Sequence, residues 1–216
     1  MVARFVCLAN SLKEGGRCVA GIELEQNNAR KIVNGVPKWI RPVCKTNHGE
    51  IPKRLTEHIQ LLDIIELDII GIPFEKSYQS ENVFFREKSL RIVGKFPVKE
   101  LDQLCDRRQF IFESRSKAIS RDAIQSIDYS LVLVKPNQFE AKIKEYEDNP
   151  FKAPQVRMIF TYHGILYDFP VTDPVFITKI QSNPEFLKNQ QDLYFCLSLG
   201  INWNDWHYKL VAGVII

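Results

Sequence analysis

Short apolar runs separated by turn residues dominate the first half of the chain. Valine, isoleucine, leucine and phenylalanine fill the runs, and the breaks contain GG, NN, NG and NHG, which is typical of β-strands joined by tight turns. One longer run, LLDIIELDIIGI, is rich in isoleucine and ends before Pro73, so it predicts a long bent strand rather than a helix. The predicted strands are 5–9, 18–24, 39–43, 61–72 and 90–93.

The second half returns to the same pattern. In QVRMIFTYHGILYDF, large apolar residues alternate with other residues, and His163-Gly164 supplies a turn, which predicts a β-hairpin. A short helix is predicted after VTDP, with Asp173 as its cap and Pro174 at its first position. The predicted strands of this half are 129–134, 139–143, 156–162, 165–169, 193–199 and 208–216.

Two helical segments separate the halves. VKELDQLCDRR places Val98, Leu101 and Leu104 on one face of a helix, and SRDAIQSI begins with a capping residue, Ser120. The pattern predicts a mostly β protein with short helices, built from two tandem Greek-key barrels. The predicted domains are a barrel at 1–97, a helical connector at 98–127 and a barrel at 128–216. One continuous β-sandwich is the alternative.

Composition narrows the class of protein. A chain of 216 residues with 45% hydrophobic residues can bury a substantial core, and a net charge of +3 does not by itself indicate a nucleic-acid binder. Five cysteines without CxxC spacing indicate reduced thiols of a cytoplasmic protein. Cys44 and His48 have no second ligand pair, so neither a metal nor a cofactor is predicted. No apolar stretch approaches a signal peptide or a membrane span, which predicts a soluble protein.

Several segments, in their order and spacing, resemble one protein family. CLANSLKEGGRCVAGIE, WIRPV, LLDIIEL, YQSEN, VTDP, CLSLG and HYKLVAGVI are similar to segments of the bacterial dual OB domain-containing proteins, from the first predicted strand to the last. The resemblance implies two OB-like barrels in tandem, a role in nucleic-acid transactions and a place in systems that defend bacteria against phage. It implies no established activity and no catalytic residues. The turn containing His48 and the stretch FFREKSLRIV depart from the family pattern.

The connection between the first two strands is rich in hydrogen-bonding groups: Asn10, Ser11, Lys13, Gly15-Gly16 and Arg17. The glycines allow backbone N–H groups to converge, and the two cations add charge, so the loop is a candidate phosphate site. It is not a P-loop, because the GK[ST] ending is missing and a strand follows. The alternative is that these residues serve only the turn.

The strand KWIRPV is the second candidate. Trp39 and Arg41 are two residues apart and share one face of a strand, whereas Ile40 points to the core. An exposed tryptophan beside an arginine provides base stacking together with a phosphate contact. The alternative is that Trp39 fills the barrel and Arg41 pairs with Glu66 or Asp68.

The segment YQSEN is the third candidate. Tyr78 can stack on a base, and the amides of Gln79 and Asn82 can read a base edge. With Glu81, this polar segment either lines a cleft or ties loops together.

A fourth candidate surface lies near the end of the chain, where Trp203, Trp206, His207, Tyr208 and Lys209 mix aromatic rings with a cation. Half or more of these aromatic rings are expected in the core, because the run continues into LVAGVII.

The leading hypothesis is a non-enzymatic module that binds single-stranded DNA or RNA, or a nucleotide. One alternative is a metal-dependent nuclease or nucleotide-processing enzyme that uses Glu81 and Asp173 with Lys13 or Arg17; another is an adaptor for a partner helicase or nuclease from the same operon. None of the four histidines lies in a catalytic or metal-binding motif. The predicted site residues are Asn10, Ser11, Lys13, Arg17, Trp39, Arg41, Tyr78, Gln79, Glu81 and Asn82.

Overall fold

The protein forms two compact units in the computed structural model, which describes residues 1–73, 78–149 and 151–216. Unit 1 comprises Met1–Cys105 with Asp128–Ser130, and unit 2 comprises Asp106–Ile127 with Leu131–Ile216. Strands predominate in both units, so the predicted mostly β fold class is confirmed. Within these residues, no helix has the length and apolar character needed to cross a bilayer.

Unit 1 contains a closed five-stranded barrel. Its strands follow the order β1-β2-β5-β7-β6, β6 pairs back onto β1, and β8 extends the sheet beside β6. The β5–β7 pair is parallel, whereas the other pairs are antiparallel. The elements are β1 (Val2–Lys13), β2 (Gly16–Glu23), β3 (Ile32–Val33), β4 (Val36–Pro37), β5 (Trp39–Val43), α1 (Lys53–Thr56), β6 (Asp63–Gly71), β7 (Asn82–Phe85) and β8 (Arg91–Lys95), with 3₁₀ turns at Glu87–Ser89 and Val98–Leu104.

The length of β1 allows the barrel to close. Residues Val2 to Val6 pair with β6, and residues from Phe5 onward pair with β2. A bulge between Cys7 and Ala9 bends the strand between its two partners. Because side chains alternate along a strand, one face of β1 supplies core residues, including Phe5 and Cys7, which are fully buried.

Unit 2 contains two sheets, and an α-helix separates its last two strands from the strands before it. Its sheets are β10-β14-β15-β9 and β11-β12-β13, and a parallel bridge joins Val171, just after β13, to Val211 on β15. The elements are β9 (Ala118–Ser120), β10 (Leu131–Val134), β11 (Gln138–Lys144), β12 (Gln155–Tyr162), β13 (Ile165–Pro170), α2 (Pro174–Ser182), β14 (Tyr194–Trp203) and β15 (Trp206–Ile215), with 3₁₀ turns at Ile111–Glu113, Ala123–Ser126 and Phe186–Asn189. In unit 1 the single strand β1 pairs with two partners, β2 and β6. In unit 2 two strands take these positions, since β10 pairs with β14 and β11 pairs with β12.

Packed aromatic rings form the core of unit 2. Phe160 lies 5.1 Å from Phe195 and 5.6 Å from Phe169, measured between ring centroids, and both contacts are edge-to-face. Tyr167 stacks on Phe160 at 5.6 Å. Phe160, Phe169 and Tyr167 come from the predicted hairpin, which is confirmed: the turn residues His163 and Gly164 have φ angles of 48° and 75°.

The two predicted helical segments are shorter and tighter than expected. Val98–Leu104 is a 3₁₀ helix, and apolar residues spaced three apart fit the three residues per turn of a 3₁₀ helix as well as one face of an α-helix. Leu101 and Leu104 are buried, whereas Val98 is exposed. Ser120 ends strand β9, and its hydroxyl accepts a hydrogen bond from the N–H of Ala123 at 3.3 Å, where a single 3₁₀ turn begins.

Candidate nucleic-acid interface

The connection between β1 and β2 is a two-residue turn and not the longer loop predicted from the sequence. Only Glu14 and Gly15 lie outside the strands, with φ angles of 42° and 79°. The adjacent Gly16 is required for another reason: a Cβ atom there would lie 2.6 Å from the carbonyl oxygen of Ile51. The two glycines therefore shape a tight hairpin against the segment at Ile51.

Asn10 and Ser11 lie within β1. The side-chain N–H₂ of Asn10 donates to the carbonyl oxygens of Thr56 and Ile59, at 2.8 and 2.9 Å. Asn10 thus fastens the short helix α1 and the residues after it to the barrel. Ser11 is 5% exposed and stands opposite Cys18 in the β1–β2 ladder.

The strand register separates the two cations of this hairpin. Arg17 is opposite Leu12 and shares its face with Val19, a core residue, whereas Lys13 is opposite Gly16 on the outer face of the barrel. The Nε and Nη1 atoms of Arg17 are buried and make no hydrogen bond within the described parts of the chain. The structure therefore does not bring Lys13 and Arg17 together at one phosphate.

Trp39 and Arg41 do share the outer face of β5, as predicted. The pairing of Ile40 with Gly21 directs Ile40 inward, and Trp39 stands opposite Ile22. Trp39 is partly exposed, but Arg41 is only 1% exposed. Burial of Arg41 corrects the expectation that it faces solvent for a phosphate contact.

Arg41 pairs with Glu81, not with Glu66 or Asp68. Its Nη2 lies 3.1 Å from Oε1 of Glu81, its backbone N–H donates to the carbonyl oxygen of Glu81 at 2.9 Å, and its Nη1 donates to Oδ1 of Asn82 at 3.4 Å. Glu66 instead pairs with arginines of β1 and β8, and Asp68 with the arginine that follows β7. The parallel β5–β7 ladder explains the partner, since it places the start of β7 beside Arg41.

The segment 78–82 ties loops together around this ion pair. The carboxylate of Glu81 accepts a hydrogen bond from the hydroxyl of Ser130, and Ser80 donates to the carbonyl oxygen of Asp128 at 2.5 Å. The amide of Asn82 donates to Oε1 of Gln79 at 3.2 Å. Ser130 was missed by sequence reasoning, because a lone serine before an apolar strand carries no signal that it contacts a residue far away in the chain.

Electrostatics show that three of the predicted residues are neighbours. Burial lowers the pKa of the Lys13 ammonium, and the nearby charge of Arg41 also lowers it. Burial raises the pKa of Tyr78 to about 12, while the charges of Arg41 and Glu81 act on it in opposite directions. In the described residues, no carboxylate lies within ion-pair distance of Lys13. Lys13 therefore lies near Arg41, and the carboxylates of Glu50 and Glu14 are near enough to raise its pKa without forming an ion pair.

The aromatic residues near the end of the chain are more exposed than predicted. The exposed fractions of Trp203, Trp206 and Tyr208 are 68%, 46% and 37%. His207 and Lys209 are buried on the other face of β15: Nδ1 of His207 lies 3.0 Å from the carbonyl oxygen of Gly200, and the Lys209 ammonium donates to two backbone carbonyls. Only the aromatic part of this candidate surface reaches solvent.

The carboxylates proposed for catalysis have structural contacts. Asp173 caps α2 as predicted: its Oδ1 accepts hydrogen bonds from the N–H groups of Val175 and Phe176, at 3.0 and 3.2 Å. Its Oδ2 accepts from the N–H of Val214 at 3.0 Å. Asp173 belongs to unit 2 and Glu81 to unit 1. The described residues contain no group of three or more histidine, cysteine, aspartate or glutamate side chains arranged to hold a metal ion.

The topology and a family comparison agree on the kind of barrel. In unit 1 the barrel strands run 1-2-3-5-4, the third and fifth are parallel, and a helix precedes the fourth. A family model described as "Dual OB-containing domain" matches residues 3–214. The chain belongs to this family. Among curated proteins, no sequence matches this chain.

In OB barrels, oligonucleotides bind across strands 2 and 3 and at the loops that join strands 1–2 and 4–5. In the first OB barrel of this chain, these are β2, β5, the Glu14-Gly15 turn and the connection from β6 to β7. Lys13, Trp39 and Tyr78 lie at these positions, which is the geometric basis for considering this face as an interface.

Proposed function

We propose that the first OB barrel binds single-stranded nucleic acid along the rim of the outer face of β2 and β5, whose central residues Ala20, Ile22 and Arg41 are buried. Lys13 contacts a phosphate, and the partly exposed rings of Trp39 and Tyr78 stack on bases. The Arg41–Glu81 pair is the scaffold of this face: with Asn82 and Gln79, it holds residues 79–82 in place.

The observation that carries the proposal is the position of Lys13. This ammonium is partly buried beside Arg41, and no carboxylate of the described residues pairs with it. Burial of the Lys13 ammonium near Arg41 costs free energy, which Glu50 and Glu14 offset without forming an ion pair, and an anion that binds there offsets the cost further. Trp39 on β5 and Tyr78, on which the charges of Arg41 and Glu81 act, add partly exposed aromatic rings that suit bases better than an isolated inorganic anion.

The test is a fluorescence-anisotropy titration of the full chain with labelled decamers of dT and rU at several salt concentrations. Each phosphate neutralised on a single strand contributes about −0.7 to the slope of log K against log salt. Lys13→Ala should therefore weaken binding and make the slope less steep by about 0.7. Trp39→Ala should weaken binding roughly tenfold through lost stacking, with little change in slope.

Arg17→Ala is the matched control, because it removes the same charge from the same hairpin on the opposite face. Its slope should remain that of the wild type. Equal effects of Lys13→Ala and Arg17→Ala would show that only overall charge matters and would contradict the proposed face. Arg41→Ala is a poor probe of contact, because it leaves Glu81 buried without its cation. Since the family resemblance implies a bacterial defence role, a phage-restriction assay with the Lys13 variant is the cellular counterpart.

A further inference from the structure

Unit 2 has a pocket of about 300 Å³ beside the β14–β15 hairpin, at the edge formed by β9. This volume is at the lower end of small-molecule sites and is sufficient for one nucleobase with part of its sugar. The residues that matter for its chemistry are Glu113, Ser114, Ser116, Ser120, Ser126 and Trp206.

The walls of the pocket mix polar and apolar side chains, since Phe112, Ala118, Ile119, Ala123 and Ile127 line it together with the serines. The Ser120 hydroxyl accepts a hydrogen bond from the N–H of Ala123 at 3.3 Å, and its own proton has no acceptor among the described residues. The hydroxyls of Ser114 and Ser116 are 2.8 Å apart, Ser116 also donates to the carbonyl oxygen of Ala118, and the Glu113 carboxylate lies 3.7 Å from Nε of Arg108. Such mixed walls match a base, which has apolar faces and a polar edge.

An exposed indole borders these polar groups. Trp206 lines the pocket and is 46% exposed, and Trp203, its cross-strand partner at the hairpin tip, is 68% exposed. A turn of Asn204 and Asp205, with φ angles of 48° and 65°, joins the two. Exposing two tryptophans costs free energy in water, and stacking with a flat heterocycle offsets it.

Cations stand at both ends of β9. Lys117 precedes the strand, is exposed and has no ion pair with any residue that the structure describes, whereas Arg121 follows it and lies 3.6 Å from the carboxylate of Asp205. Both cations flank the strand whose residues line the pocket, and positive charge there favours a ligand that carries phosphate over a neutral one.

We propose that this pocket binds one unpaired base of a single-stranded nucleic acid. Trp206 stacks on the base, the Ser120 hydroxyl donates a hydrogen bond to its edge, and the cations that flank β9 favour the phosphates on either side. The inference rests on the proposed function for the class of ligand, but its residues belong to unit 2 and are independent of the face at Lys13.

The experiment compares the full-length wild type with Trp206→Ala, Trp206→Phe, Ser120→Ala and Leu166→Ala, using labelled decamers of dT and dA. Leu166 is the matched control, because it is an apolar residue of the same unit and is 67% exposed. Trp206→Ala should weaken binding about tenfold, Trp206→Phe should retain part of the affinity, and Ser120→Ala should weaken binding a few-fold. Leu166→Ala should stay within about twofold of the wild type. Thermal melting confirms that each variant is folded.

The outcomes separate the two proposals. If the wild type binds and Trp206→Ala behaves like Leu166→Ala, the pocket is overturned while the face at Lys13 stands. If Trp206→Ala loses affinity and Lys13→Ala does not, the pocket stands and the proposed face is wrong. Absence of any binding by the wild type overturns both. A tryptophan emission shift with phosphatidylglycerol vesicles but not with the decamers would identify a lipid surface and overturn the pocket.

Discussion

Lys209 gives unit 2 a pH-dependent stability that can be worked out from the structure. Its side chain is fully buried, and its nitrogen lies 2.7 Å from the carbonyl oxygens of both Ile111 and Ser114. Burial lowers the pKa of Lys209 to about 7. A neutral amine has two N–H groups, and the two carbonyls satisfy both of them.

The sign follows from proton binding in the two states. Between pH 7 and 10.5, the unfolded chain holds a proton on this lysine and the folded chain does not, so unfolding takes up a proton. The free energy of unfolding therefore rises with pH in this window, by about 1.4 kcal/mol per pH unit. From pH 7.5 to 9.0 the gain is about 2 kcal/mol, and it fades below pH 7, where both states are protonated.

The assay is urea unfolding at pH 7.5 and 9.0, followed by tryptophan fluorescence in a Trp39→Phe background, which leaves only Trp203 and Trp206 as reporters. Lys209→Met should lower stability at pH 9.0, because two carbonyls lose their donor, and should remove the 2 kcal/mol difference between the two pH values. Lys142→Met, at an exposed lysine of the same unit, should keep the difference. An equal pH dependence in the wild type and Lys209→Met would refute the reasoning.

Two further predictions concern buried carboxylates. Arg41→Ala should destabilise the protein by about 3 to 5 kcal/mol, because it leaves the Glu81 carboxylate buried without its cation. In thermal melts, the double variant Arg41→Met with Glu81→Leu should recover most of that loss. A double variant no more stable than Arg41→Ala would contradict this. Asp173→Ala should lower the free energy of unfolding, measured with urea, by about 2 to 3 kcal/mol, since a helix cap and a hydrogen bond to β15 are lost together. A loss below 1 kcal/mol would contradict this and would show that water replaces the carboxylate.

The sequence was sufficient to predict elements whose structure depends on neighbouring residues only. The hairpin around His163-Gly164 has strict alternation and a turn that needs positive φ, so its register follows from the residues themselves. The start of α2 is equally local, because Asp173 and Pro174 specify a cap and a first helical position. In both cases a few neighbouring residues determine the structure without help from the rest of the fold.

The sequence did not predict features that depend on pairing between strands distant in the chain. β7 was not predicted, because a four-residue strand following a polar segment has little signal of its own, and its parallel pairing with β5 exists only in the closed barrel. That pairing determines the partner and the burial of Arg41. The burial of Lys209 had a detectable signal, since it alternates in phase with His207 and Val211, but an apolar phase is a weak reason to place a lysine in a core.

Strand pairing between distant parts of the chain also determines which charged residues of the first OB barrel are structural and which can bind a ligand. Arg41 and Arg17 looked equivalent to Lys13 in the sequence, yet Arg41 has a buried carboxylate and Arg17 lies on the inner side of the hairpin. Lys13 lies on the outer face and forms no ion pair within the described residues, although Glu50 and Glu14 raise its pKa. Because a paired buried charge gains little from a new anion, Lys13 is a better candidate than Arg41 for the residue that contacts a phosphate.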